Sequence, residues 1–393
     1  MRPTYAEAVL ELAFRHGEPV CLVSVPGCGK THTIKRVTRR IGFRSWIGHP
    51  AISEPVDFKG YPFAYDDNGR RVCSFLPDSH LAKLLDATEP TVAFLDDVIQ
   101  APAGTQAALM QLIEERRVNG HEVSPQVVFA CASNDAGHMA GGTNVIEPLK
   151  ARFTVIPFEP NAEDWSQWAL GIGEDEALAP PATTIQPIPD EMPPVLVAFI
   201  RTNAKVLSDF KPSKKLTDKT PDPRAWAKVG RWFQMGVKPA SAGGAEPWRG
   251  RIPANSQMEL EAATNLIAKE VYAGCVGQGA ALEFFTYCDL LPQMPNIDEI
   301  LMNPDSAEVP GKPDICFLVA TALARRVSVK NVDRVMRYLW RLDQPFRFAC
   351  LKDALRIDEA RAQKETLSGK TPTRLNNTGP ITAWYVKEAE VFA

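Results

Sequence analysis

The chain has 393 residues, 45% of them hydrophobic and 23% charged, which is too long for one compact core and rich enough in apolar material to fill two or three packed units. Lysine and arginine number 44 against 47 acidic residues, so the formal net charge of -3 gives no global attraction to nucleic acid or to an anionic membrane. The 8 cysteines show no two-residue spacing of a zinc knuckle or redox pair, and a reduced, cytosolic setting is expected. The N-terminus lacks a basic-then-apolar leader pattern, and no apolar run is long enough to cross a bilayer.

Residues 4–16 read as an amphipathic helix with Tyr5, Val9, Leu10, Leu12 and Ala13 on its apolar face. Residues 20–25 form a nearly continuous apolar run, as a strand covered on both faces requires, and a helix follows to about Arg40. A strand is expected over 44–48, then a hairpin over 61–75 turning at Asp67-Asn68-Gly69. A helix near 79–87 precedes a buried strand at 91–95, a helix at 105–117, a short hairpin at Asn119-Gly120, and buried strands at 126–132 and 153–158. Strands alternating with helices predict a three-layer α/β domain with a mostly parallel sheet. Beyond about residue 161 strand signals vanish, and helical segments alternate with Pro- and Gly-rich loops at 174–194, 211–223 and 236–254. The expected division is a nucleotide-binding core at 1–160, a helical lid at 161–290 and a helical C-terminal extension at 291–393.

Ser24-Val25-Pro26-Gly27-Cys28-Gly29-Lys30-Thr31 has the spacing of a phosphate-binding P-loop, with Ser24 where the first Gly usually stands. Gly27 and Gly29 let successive N–H groups point at phosphate oxygens, and the helix that follows adds its positive end. Lys30 suits the β- and γ-phosphates and Thr31 suits Mg²⁺, so Pro26, Gly27, Cys28, Gly29, Lys30, Thr31 and His32 are the candidate nucleotide contacts. A plain glycine turn between strand and helix is the duller alternative. Cys28 reads either as a redox-sensitive thiol at a helix N-terminus or as a small loop residue.

The apolar run 92–95 ends in Asp96-Asp97, suited to orienting Mg²⁺ and polarising an attacking water; strand-end acids also serve as turn residues or caps. An aspartate at 97 is one methylene shorter than the glutamate usual there, which predicts slow or partner-dependent hydrolysis. Asn134 closes the next apolar strand, where it reads as a loop cap or as a holder of the attacking water. Arg152, just before a strand, reads by itself as solvated. Arg224 stands in the first turn of a helix, where a cation opposes the helix dipole unless an anion is near.

The order of SVPGCGKT, FLDD, APAGTQAALMQLIEERRV, Asn134, LKARF and DPRAW resembles MoxR-type AAA+ ATPases, as does the insertion DFKGYPFAYDDNGRRVCSF. The likeness runs from about residue 5 to 235; GCVGQGAALEF and NVDRVMRYLWRL are similar in style to a bacterial and phage-associated branch. The resemblance implies an AAA+ αβα core, a helical lid and an ATPase using ATP and Mg²⁺. Asn134 falls at sensor 1 and Arg152 at an arginine finger acting on a neighbouring subunit's ATP. Arg224 falls at sensor 2, contacting its own subunit's ATP. It further implies a homo-oligomeric ring, typically a hexamer, acting on a protein client, often one with a von Willebrand factor A-type domain. The hairpin aromatics Tyr61, Phe63 and Tyr65 either grip that client or pack on the core.

Other readings stay open at this level. A nucleotide-dependent scaffold with little hydrolysis fits Asp97. A nucleic-acid motor or loader fits the basic stretches at 35–40 and 211–219, which read more simply as solvated surface. A small-molecule kinase lacks any visible acceptor site.

Overall fold

The computed structural model describes residues 1–134, 147–170, 184–189, 191–209 and 216–392. Parts of the loops expected at 174–194 and 211–223 lie outside these residues. The chain divides into two compact units, one of residues 1–191 and 205–285, the other of residues 192–204 and 286–393.

The first unit is built on a five-stranded sheet of β1 (Val20–Ser24), β2 (Arg44–Gly48), β5 (Thr91–Asp96), β8 (Val127–Asn134) and β9 (Thr154–Pro157), in the order β2-β5-β8-β1-β9. Every pairing is parallel. The nearly continuous apolar runs have their physical cause here: β1 is buried along its whole length because helices cover both faces. Cys21, Val23, Ala93, Leu95, Phe129 and Cys131 face one way, into a core shared with Leu109, Leu112 and Ile113 of the helix Ala103–Glu114. The helix Lys30–Arg40 packs on β1, β5 and β8, and the helix Pro3–His16 packs on it in turn. Arg36 and Arg40 were expected as solvated surface. Both instead ion-pair with the buried Glu7, at 2.6 and 3.0 Å.

Two antiparallel ribbons stand apart from this sheet. β3 (Tyr61–Asp67) and β4 (Arg70–Leu76) form the longer hairpin. Its two-residue turn needs both residues left-handed, which Asn68 (φ 53°) and Gly69 (φ 80°) supply. Tyr61, Phe63 and Tyr65 alternate onto one face and are about half exposed, so they do not pack into the core. β6 (Arg117–Val118) and β7 (His121–Glu122) form the short ribbon.

After β9 the described residues contain helices and no strand, as expected. The helices Pro223–Gln234 and Gln257–Val276 enclose Trp232, Trp248, Tyr272 and Phe284 without exposure. This lid sits against β9. Trp232 Nε1 donates to Thr154 Oγ1 at 2.9 Å, and a Cβ added at Gly274 would fall 1.9 Å from Val155 O, so only glycine permits that approach.

The second unit is all helical among the described residues. Val319, Leu323, Tyr338, Leu339, Cys350 and Leu351 lie at its core. The helix Pro194–Thr202 packs on Pro313–Arg326 there, although the sequence expectation counted it with the lid. No helix of the described residues is long and apolar enough to cross a membrane.

Candidate nucleotide-binding site

The sheet order brings the expected residues to one edge. β1 lies beside β8 with Ser24 opposite Asn134, and β8 lies beside β5 with Ala132 opposite Asp96. The carboxyl ends of three adjacent strands therefore meet where the first loop turns into the helix Lys30–Arg40, the position where parallel α/β sheets bind ligands. Gly27 (φ 81°) and Gly29 (φ 89°) are left-handed, and a Cβ on either would meet nothing within 4 Å. The glycines are thus needed for backbone conformation, and the loop keeps an open face above its N–H groups.

Lys30 Nζ donates to Val25 O at 3.0 Å, Ser24 Oγ at 3.1 Å and Asn134 Oδ1 at 3.0 Å. Ser24, the departure from the usual glycine, thereby supplies a hydroxyl acceptor for the lysine. Burial lowers the Lys30 pKa, opposed by the nearby Cys28, Asp97, Cys21 and Asp96. Asn134 also donates from Nδ2 to Asp97 Oδ1 at 3.3 Å, so it bridges the lysine and the second acid. Asp97 is itself left-handed (φ 53°), a conformation that Asp and Asn tolerate better than longer side chains. Its carboxyl is raised above the ordinary range by burial first and by Asp96 second.

Thr31 Oγ1 lies 3.2 and 3.3 Å from the two oxygens of Asp96. A hydroxyl and a carboxylate converging this way fit Mg²⁺, which is held by few protein oxygens together with substrate phosphates and water. No cluster of three or more His, Cys, Asp or Glu able to hold a metal occurs among the described residues.

Beside the loop opens a cavity of about 300 Å³ lined by Gly27, Cys28, His32, Arg36, Trp165 and Trp168, among others. The Trp168 ring meets the His32 ring edge-on at 6.0 Å and the Trp165 ring at 6.3 Å. The helix Ala162–Ala169 that carries both tryptophans is capped by Asn161, and Asp164 ties it to the N-terminal helix through Arg2 and the Thr4 amide. The cavity thus sets two aromatic rings and an imidazole beside the phosphate loop. Sequence reasoning missed it; the available signal was two tryptophans three apart on a helix with no buried residue.

Arg152 and Arg224 lie elsewhere. Arg152 precedes Thr154, which pairs with Val20 at the start of β1, whereas the phosphate loop follows Ser24 at its end. Those ends are roughly 13 Å apart along the strand. Arg152 Nε sits 3.2 Å from Glu114 Oε2, and Arg224 Nη2 sits 2.9 Å from Glu114 Oε1. Glu114 closes a helix that begins near Asp97 and runs back from the carboxyl edge. The lid thus holds Arg224, expected at its own subunit's ATP, beside Arg152 and Glu114. Lys219, expected as solvated, also lies in this region, its amine enclosed by the carbonyls of Lys150 and Phe153, while 211–215 fall outside the described residues.

Parallel sheet, left-handed loop glycines, and a lysine, threonine and acid pair at one edge define a P-loop nucleotide-binding protein. The match to the family model of the AAA domain, dynein-related subfamily, covers residues 19–153. It spans β1 to β8 and ends just past Arg152, leaving the lid and the second unit outside the match. Among solved structures, a Cytophaga hutchinsonii protein provisionally named an ATPase is 13% identical, with 69% of this chain and 82% of that one covered at a TM-score of 0.40. A likeness that distant carries no argument about this chain. No curated protein matches the chain.

Proposed function

We propose that the chain is an ATPase that works as a ring of identical subunits, hexameric as in MoxR-type AAA+ proteins, and remodels or activates a protein partner. The observation that carries this reading is the separation of Arg152 and Arg224 from the phosphate loop on opposite sheet edges. In this reading a second copy docked edge to edge brings these cations to the γ-phosphate.

In this reading the loop 26–32 binds the phosphates through backbone N–H groups, and Lys30 neutralises the β- and γ-oxygens. His32, Trp165 and Trp168 hold the base. Thr31 and Asp96 would hold Mg²⁺, which supplies charge neutralisation on the transferred phosphoryl group. Asn134 orients the attacking water and Asp97 accepts its proton. Arg152 and Arg224 of the neighbouring subunit stabilise negative charge developing on the γ-phosphoryl. Loss of those contacts after hydrolysis alters the preferred interface, which is how the ring does work on a client. The exposed aromatic face of the β3–β4 hairpin supports client contact there. A von Willebrand factor A-type partner rests on the MoxR resemblance alone.

The test is ATP turnover across protein concentrations for the wild type, Lys30→Ala and Arg152→Ala. Turnover that rises with concentration and is lost in both variants supports the shared-site ring. Turnover no greater than that of Lys30→Ala at every concentration would sink it in favour of a nucleotide-dependent scaffold.

A further inference from the structure

Three of the four backbone carbonyls from Lys150 to Phe153, the turn that carries Arg152, accept hydrogen bonds from lid lysines. Lys219 Nζ donates to Lys150 O and, at 2.9 Å, to Phe153 O; Lys228 Nζ donates to Ala151 O. Lys228 is buried, and it stands one helical turn after Arg224 in the helix Pro223–Gln234. Apolar packing alone does not call for two enclosed lysine amines. They persist where their donors have fixed acceptors, and here the acceptors are the turn itself.

We propose that Lys219 and Lys228 are positioning residues for Arg152, fastening the finger turn to the lid so that the two move as one body. This rests on the reading of Arg152 as a finger acting on a neighbouring subunit. Independent contacts complete the block. A Cβ at Gly277 would fall 2.2 Å from Lys219 O, so the end of the helix Gln257–Val276 sits directly on the lysine's backbone. Gly274 makes the same kind of approach to Val155 O in β9, two residues beyond the turn. Swinging the lid while leaving the turn in place strands both amines without acceptors. The turn therefore follows the lid, and the stance of one subunit's lid sets the aim of the arginine offered to the next subunit.

Mixed assemblies separate this role from a general effect on folding. Arg152→Ala subunits keep an intact phosphate loop and lack the finger; Lys30→Ala subunits keep the finger and lack a working loop. Mixing the two restores turnover in the trans arrangement. The mixture is then repeated with Lys30→Ala subunits that also carry Lys219→Met or Lys228→Met, and restoration falls at least tenfold. Lys219→Met alone keeps the wild-type affinity for ATP, read by tryptophan fluorescence, because its own phosphate loop is untouched. Lys228→Met removes a separate carbonyl contact and serves if Lys219→Met does not fold. Restoration by both double variants equal to that by Lys30→Ala alone would overturn the proposal. A mixture of Arg152→Ala and Lys30→Ala that stays silent, at concentrations where the wild type turns over, would overturn the trans reading of Arg152 and this proposal with it.

Discussion

Arg152 and Arg224 share one carboxylate, with Glu114 offering Oε2 to the first at 3.2 Å and Oε1 to the second at 2.9 Å. Burial lowers the Arg152 pKa, Glu114 opposes that shift, and Arg224 adds to it, so the acid is what lets two cations stand together. Glu114→Ala leaves them to repel and wander. We expect kcat to fall about tenfold, roughly 1.4 kcal/mol of transition-state stabilisation, with KM for ATP unchanged because the phosphate loop lies at the other sheet edge. A rise in KM with kcat intact would place Glu114 in nucleotide binding instead.

Asp97 combines two demands. Its backbone is left-handed, which favours a short polar side chain, and its carboxyl faces Asn134 at 3.3 Å. Asp97→Glu extends the acid by one methylene toward the attacking water and is expected to raise basal turnover several-fold. The longer side chain at φ 53° costs on the order of 1 kcal/mol in stability, visible as a lower Tm. An unchanged rate in the glutamate variant means that the short acid does not limit turnover.

Trp168 meets His32 beside the phosphate loop, and stacking of a base on an aromatic ring is worth about 1–3 kcal/mol. Trp168→Ala should weaken ATP binding about tenfold or more, while triphosphate without a base binds both forms alike. ATP should also raise the wild-type Tm through preferential binding to the folded state, and Lys30→Ala should abolish that shift. Equal ATP affinity in wild type and Trp168→Ala would remove the base from this cavity.

The strands of the sheet were legible because burial on both faces writes itself as unbroken apolar runs, as at residues 20–24 and 127–132. Gly27, Gly29, Lys30, Thr31, Asp96 and Asn134 were legible because they lie at strand ends with fixed spacing. Arg224 was harder. Its motif gave a role, but the edge it occupies depends on how the lid packs on β9, which no local pattern encodes. Trp165 and Trp168 were missed because an exposed aromatic on a short polar helix has no periodic signature, and its partner His32 is more than a hundred residues away. Lys219 misled for a related reason. A lysine in a Pro-rich loop reads as solvated, and the carbonyls that enclose its amine come from a turn far back in the chain.

Those lysines give stability a pH dependence with a defined sign. Burial, with Lys228 and Lys150 nearby, lowers the Lys219 pKa to about 7, against weaker opposition from Cys275 and Cys21. Burial lowers that of Lys228 to about 8, with Glu18, Cys275 and Asp222 opposing and Arg231 reinforcing. Unfolded lysines keep their protons to above pH 10. Between these values the unfolded chain binds more protons than the folded one, so stability rises with pH. The gain begins as pH passes through about 7 and steepens through about 8, approaching roughly 1 kcal/mol per pH unit for each amine. Above about 9 the trend is opposed, because burial raises the Cys275 thiol to about 11 and unfolding then releases its proton. The measurement is the urea midpoint of the wild type from about pH 7 to 8.5, beside Lys219→Met and Lys228→Met. The wild-type midpoint should climb across this window and each variant should climb less. Equal slopes in all three would mean that both amines stay protonated on folding, held charged by the carbonyls of Lys150, Ala151 and Phe153.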